Sequence, residues 1–268
     1  MPTLEVERAS LNYEVWRQDG VKSLGWITLI NGHTRPLNDF RMLGTKLVER
    51  GYEVLAFDNR GAGLTTVTDG FTLSDMTDDV RALWDAEGVD KTHLIGISMG
   101  GFLCQQLVTE SRSHIKKMIL VSTAARHDSI ARDDRPWSTD IAQVAAKLST
   151  YFTANFAEKN AALVKSMAKQ IATQVDKGAF VSNSQLQRRA LEGFDLRNEL
   201  PRVDIPTLVI HGDEDAIIPV ADGESLSKLI KNSRLVKLQG VGHLLLAEAP
   251  VKLYELVFGF LDHSANDL

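Results

Sequence analysis

Gly96-Ile97-Ser98-Met99-Gly100-Gly101 lies where an apolar run, His93-Leu94-Ile95-Gly96-Ile97, gives way to a helical pattern that continues through Leu107. A serine at such a junction sits on a sharp strand-to-helix turn that pushes its hydroxyl into the open. Side chains in place of Gly96 or Gly100 would clash at that turn. Ser98 is therefore a candidate nucleophile. A serine hydroxyl is a poor nucleophile near neutral pH, so it needs a base, and the base needs an orienting group.

Outward from this junction, short β-branched runs alternate with segments of helical period. Upstream lie Trp26-Ile27-Thr28-Leu29-Ile30, which stops at Asn31-Gly32, and Val54-Leu55-Ala56-Phe57. Downstream lie Met118-Ile119-Leu120-Val121, Thr207-Leu208-Val209-Ile210 and Leu235-Val236-Lys237-Leu238. Between them, Phe40, Leu43 and Leu47 share one helical face, as do Met76, Val80, Leu83 and Trp84 ahead of a terminating Gly88. Pro250 opens a last helix carrying Leu253, Leu256, Val257 and Phe260. The pattern predicts an α/β fold with a mostly parallel central sheet flanked by helices.

The alternation breaks once. From His127 to Val203 there is no convincing strand, and Ile141, Val144, Leu148, Val164, Ala168 and Ile171 follow helical spacing. Sheet strands on both sides make 1–126 and 204–268 the core and 127–203 a helical cap inserted between two strands. A separate small helical domain is the alternative.

Two loops after the later strands carry the partners that Ser98 needs. Thr207 to Ile210 runs into His211-Gly212-Asp213-Glu214-Asp215, and Leu235 to Leu238 runs into Gln239-Gly240-Val241-Gly242-His243. Parallel strands bring these loops to the same sheet edge as the serine turn. In folds built on such a strand–serine–helix turn the partners follow in the order serine, acid, histidine, as these residues do.

The chain has 268 residues, a formal net charge of −5 and one cysteine. An acidic balance argues against a nucleic-acid partner. A lone Cys104 forms no internal disulfide, and its place on the helix after the turn favours a small buried side chain over a redox role. The start, Met1-Pro2-Thr3-Leu4-Glu5-Val6-Glu7-Arg8, is too charged for a signal peptide, and no apolar run approaches the about 18 residues of a membrane span. A soluble cytoplasmic protein with no membrane partner is the expectation. No zinc spacing, P-loop or dinucleotide fingerprint occurs, so no metal or cofactor is expected. Nothing in the residues assigns an oligomeric state.

With these motifs in place, nearly the whole chain resembles the α/β-hydrolase superfamily. Asp58-Asn59-Arg60-Gly61-Ala62-Gly63 is similar to the family's turn after its fourth strand, and Pro206 through Asp215 to its acid-bearing strand and loop. The resemblance makes Asp215 the acid and leaves Asp213 and Glu214 to cap or solvate the loop. It implies an ester hydrolase with Ser98, Asp215 and His243 as triad. The oxyanion donors would be the backbone N–H groups of Met99 and, after Ile30, of His33. There the family's His-Gly reads Asn31-Gly32.

Serine at the turn argues against the epoxide hydrolases and haloalkane dehalogenases of this fold, which use aspartate. The Ser-Met-Gly-Gly turn, Val121-Ser122-Thr123-Ala124-Ala125-Arg126 and Phe194-Asp195-Leu196-Arg197 resemble the branch of 3-oxoadipate enol-lactonases and carboxylesterases. Trp137 fits loosely. The implied partner is a small-molecule ester or lactone. Carbon–carbon bond hydrolysis in aromatic catabolism and a small-molecule receptor with a retained triad are the alternatives.

Other features carry plainer readings. His93, His114, His127 and His263 read as surface or loop residues, and His211 as a local packing or hydrogen-bonding residue. Arg126, Arg132 and Arg135 offer cations for a substrate carboxylate, but interspersed Asp128, Asp133 and Asp134 favour a solvated loop. Trp137, Tyr151 and Phe152 either line an apolar site or pack within the cap.

Overall fold

The computed structural model describes residues 2–128, 130 and 135–262. Strands β1 (Thr3–Val6) and β2 (Ala9–Trp16) form an antiparallel pair, followed by β3 (Trp26–Ile30), helix α1 (Arg41–Glu49) and β4 (Glu53–Phe57). A two-residue strand β5 (Thr66–Val67) pairs with β2, ahead of α2 (Leu73–Glu87), β6 (Thr92–Ile97), α3 (Met99–Glu110) and β7 (Ile115–Val121). The chain then runs through α4 (Ile141–Leu148), α5 (Ala154–Lys159), α6 (Ala161–Asp176) and α7 (Phe180–Ala190). It returns to the sheet as β8 (Thr207–Gly212), α8 (Val220–Leu229), β9 (Ser233–Leu238), α9 (Leu245–Glu248) and α10 (Pro250–Asp262).

Across the sheet the order is β1-β2-β4-β3-β6-β7-β8-β9, parallel from β4 through β9. Helices cover both faces, which is why the inner strands are near-continuous apolar runs instead of alternating ones. Leu43 and Leu47 of α1 meet Leu253, Val257 and Phe260 of α10 on one face. Met76, Val80 and Leu83 of α2 meet Phe102, Leu103 and Leu107 of α3 on the other. Helix α2 starts at a Thr72–Asp75 capping box and ends at Gly88, whose φ of 67° only glycine adopts without strain.

The six strands read from the sequence all form, and a 3₁₀ turn at Leu37–Phe40 leads into α1. Strands β1, β2 and β5 are additions to that reading. They form an antiparallel edge whose alternation includes buried Asn12, held by Asp58. One expectation is overturned. His93 is neither surface nor loop: it lies in β6 at 8% exposure, edge-on to Tyr52, because β6 is covered on both faces. The expectation for His263 falls outside the described residues.

The helical insertion between β7 and β8 has its own small core of Val144, Leu148, Phe152, Val164, Ala168 and Ile171. Trp137 packs edge-on against Phe180 there, and Phe152 stacks on Phe156. Among the described residues no helix is long and apolar enough to cross a membrane.

Candidate active site

Ser98 stands between β6 and α3 with φ 53°, a left-handed conformation that is strained for a side chain with a Cβ. Close packing of backbone holds it there. A Cβ on Gly96 would strike the Gly100 carbonyl and the Cys104 thiol, and one on Gly100 would strike the Ile30 carbonyl. The Ser98 N–H donates to Val121 O (2.8 Å), and its carbonyl accepts from the Gly101 N–H and the Thr123 hydroxyl. Cys104 is fully buried in this contact, and burial pushes its thiol pKa far up, so it stays a packed thiol.

The loops after β8 and β9 bring Asp215 and His243 to the serine. His243 Nε2 lies 3.0 Å from Ser98 Oγ, and His243 Nδ1 lies 2.8 Å from Asp215 Oδ2. A carboxylate accepts only, so the imidazole donates Nδ1–H to Asp215 and offers Nε2 to the serine hydroxyl. His243 and Asp215 are 3% and 6% exposed, whereas Ser98 keeps a partly open face. The hydroxyl is thus partly open to solvent while the Asp215 carboxylate is shielded from it.

Burial alone would raise the Asp215 pKa. The nearby His243 imidazole, hydrogen bonds from His211 and His243 and the Ile218 N–H outweigh it and hold the carboxyl well below its usual range. Asp215 Oδ1 accepts from the N–H groups of Ile217 and Ile218, both at 2.9 Å. His211 is fully buried; its Nε2 donates to Ile218 O at 2.8 Å and lies 3.4 Å from Asp215 Oδ2. It is the local hydrogen-bonding residue that the sequence reading expects, and it also braces the acid. Asp213 accepts from the Gly240 N–H and so ties the acid loop to the histidine loop.

On the other side of Ser98 lies the loop after β3. A Cβ on Gly32 would sit 3.4 Å from the Ser98 Cβ, so this backbone runs directly beside Ser98. Asn31 folds back on the loop: its Oδ1 accepts the Gly32 N–H and its Nδ2 donates to Pro36 O, both at 2.8 Å. The Gly32 N–H is therefore occupied, while the next amide, of His33, has no intramolecular acceptor among the described residues. His33 Nε2 donates to Ser184 O of α7 at 2.8 Å, away from Ser98. Enclosure by protein pushes the His33 pKa down to about 4, so the ring is neutral when it makes this bond.

Three further contacts around the site were not legible in the sequence. The Tyr151 carbonyl, from the insertion, accepts from the His243 N–H at 2.9 Å, and the Tyr151 ring stands edge-on to the imidazole. Glu248 accepts from the Thr153 hydroxyl (2.5 Å) and from the Gly242 N–H (3.0 Å). Arg60 and Asp79 form a bidentate ion pair, both 3% exposed, beneath the turn after β4. Each joins groups far apart in the chain, so only a spacing-independent signal, an alignment of many relatives, could flag them.

Of the arginines weighed for a substrate carboxylate, Arg126 pairs with Asp128 (3.0 Å) and Arg135 donates to Ala146 O (3.1 Å). Arg132, Asp133 and Asp134 lie outside the described residues. Among the described residues no cluster of three or more His, Cys, Asp or Glu side chains is arranged to hold a metal ion.

A sequence model described as "alpha/beta hydrolase fold" matches residues 26–250. The chain is 29% identical over 215 residues to 3-oxoadipate enol-lactonase 1 of Acinetobacter baylyi, spanning 78% of this chain and 79% of the relative. It is 30% identical over 211 residues to 3-oxoadipate enol-lactonase 2 of the same organism, 74% of each. The solved enol-lactonase of Burkholderia xenovorans superposes with a TM-score of 0.83 at 26% identity, covering 98% of this chain and all (100%) of that one.

Proposed function

Because the chain belongs to the alpha/beta hydrolase fold family, we propose that it is a serine hydrolase that cleaves small carboxylic esters through an acyl-enzyme. The observation that carries this reading is the unbroken chain from Ser98 Oγ through His243 to Asp215, with links of 3.0 Å and 2.8 Å. In acylation the serine oxygen bonds to the ester carbonyl carbon as its proton passes to His243 Nε2. The carbonyl electron pair moves onto oxygen, where the Met99 and His33 N–H groups receive it. Collapse breaks the carbon–oxygen bond to the leaving group, which takes the proton from His243. Water then attacks the acyl-enzyme, with His243 again taking and returning the proton. Asp215 stays ionised throughout and stabilises the imidazolium.

An enol-lactone is a cyclic ester, and the likeness to two enol-lactonases at 29% and 30% identity favours that substrate class within the same chemistry. Its alcohol would remain tethered to the acyl group after ring opening. The deciding experiment is hydrolysis of p-nitrophenyl esters from acetate to laurate and of a simple enol-lactone, by wild type and Ser98→Ala. Turnover that falls by about 10⁴-fold or more in the mutant is the expected result. A folded wild type inert toward every ester and lactone would overturn the reading and direct attention to carbon–carbon substrates or a receptor ligand.

A further inference from the structure

Gln187, on α7 of the helical insertion, is fully buried, and with Ser184 it forms the buried polar side of that helix. Its amide bridges two loops of the sheet domain. Oε1 accepts from the Thr34 N–H and Nε2 donates to the Arg60 carbonyl, both at 2.7 Å. The Arg60 end is rigid, because its guanidinium is locked to Asp79. The Thr34 end is strained: Thr34 has φ 62°, a left-handed value that a β-branched residue adopts at a cost.

Thr34 is the third residue of the turn that Arg35 N–H closes on Gly32 O at 3.2 Å. Left-handed backbone at that position is the mark of a type II turn, where glycine or asparagine is the usual occupant. A relaxed type I turn would rotate the His33–Thr34 peptide and aim its carbonyl, not its N–H, toward α7. The acceptor Oε1 opposes that rotation. Two neighbouring contacts seat α7 on the same loops: His33 Nε2 donates to Ser184 O, and Gly61 (φ 75°) leaves room for Asn183, which a Cβ would approach to 3.0 Å.

We infer that Gln187 is a positioning residue: by tying the Thr34 N–H to the Arg60 carbonyl it fixes the place of the 32–35 turn, and with it the His33 N–H that would receive the developing oxyanion, so the docked insertion completes the oxyanion hole. This rests on the acyl-transfer reading above for its catalytic half, and on geometry alone for its structural half. Gln187 touches no substrate; it acts through the turn.

Three variants test it. Gln187→Met is close in volume and removes both bonds. Gln187→Asn keeps the amide but is one methylene short, and carries the test if the methionine variant does not fold. Gln187→Glu keeps an acceptor for Thr34 N–H. Misaiming one oxyanion donor should lower kcat by roughly 10- to 100-fold with KM changed by less than about 3-fold. Gln187→Glu, which keeps the acceptor for Thr34 N–H but loses the donor to the Arg60 carbonyl, should recover part of that loss. Amide hydrogen exchange across residues 31–36 should quicken by roughly tenfold in the methionine and asparagine variants and much less in the glutamate variant. Unchanged exchange would overturn the clamp. Faster exchange with unchanged kcat would overturn its link to catalysis. If wild type turns over no ester or lactone, the acyl-transfer reading fails and takes the catalytic half with it, while exchange still decides whether the clamp exists.

Discussion

Around Ser98 the sheet holds its geometry by closeness of backbone: Gly96 packs on Gly100, Gly100 on Ile30, and Gly32 on Ser98, with no room for a Cβ at the first two. The helical insertion meets the same edge differently. It has an apolar cluster of its own and also packs apolar side chains on the sheet domain, Phe194 edge-on to Phe102 among them, but beside the site its contacts are polar: Gln187 to Thr34 and Arg60, Ser184 to His33, Tyr151 O to His243, and Thr153 to Glu248. Apolar packing is non-directional and tolerates small shifts, whereas a hydrogen bond aims a group within a few tenths of an ångström. Ser98 is thus held by sterics within the sheet domain, while the His33–Thr34 turn and His243 also receive polar contacts from the insertion.

The comparison can be broken first at its most rigid polar point. Asp79→Ala leaves the Arg60 guanidinium buried without its partner, and loss of roughly 3–5 kcal/mol of unfolding free energy is expected. Denaturant unfolding of the mutant measures this. A loss under about 1 kcal/mol would mean that the turn after β4 is held by its backbone alone.

Acid titration sharpens the sheet-domain side. Burial, followed by the fields of Lys117 and Lys116, pushes the His93 pKa down to about 4. The unfolded chain takes up its proton near pH 6.5, well before the folded one does. Stability from His93 is therefore fully present above that pH, declines as pH falls and is lost by about pH 4, a total of roughly 3 kcal/mol. His33, also held at about 4, adds in the same direction. His93→Phe should flatten the slope of unfolding free energy between pH 6.5 and 4; an unchanged slope would place the acid sensitivity elsewhere.

The smallest effect is expected at the polar seam itself. Glu248→Gln turns one acceptor into a donor facing Thr153 or Gly242, at a cost of about 1–2 kcal/mol. The change should appear chiefly as faster amide exchange at residues 151–153 and 242–244, with the melting temperature lowered by only a few degrees. A global drop in place of this local one would show that insertion and sheet domain unfold as one body.

Much of the sheet side was legible without coordinates. A β-branched run ending at Ser98, an acid after β8 and a histidine after β9 carry local signals, and parallel topology turns their order into proximity. His93 misled because an imidazole reads as polar. Its burial follows from two covering helical layers that no single strand reveals. β1 and β2 went unread because an antiparallel edge with a buried Asn12 lacks the apolar continuity of the inner strands. Asn31 appeared only as a departure from a family pattern, yet it spends its own amide on Gly32 and Pro36 and so leaves the His33 N–H as the open donor.

By itself the sequence determined the α/β class, the turn at Ser98 and the placing of an acidic loop and a histidine loop at the same sheet edge, because strand period, glycine at a tight turn and strand order are local or topological properties; the choice of Asp215 among three neighbouring acids came from the family resemblance. Only the tertiary structure decided that His33 turns its ring to Ser184, that His211 braces Asp215, and that Gln187 joins Thr34 to Arg60 across 153 and 127 residues of chain. A side-chain hydrogen bond over such separations leaves no period or spacing in the sequence. It exists only once packing has brought a donor and an acceptor together and removed the water that would otherwise satisfy both.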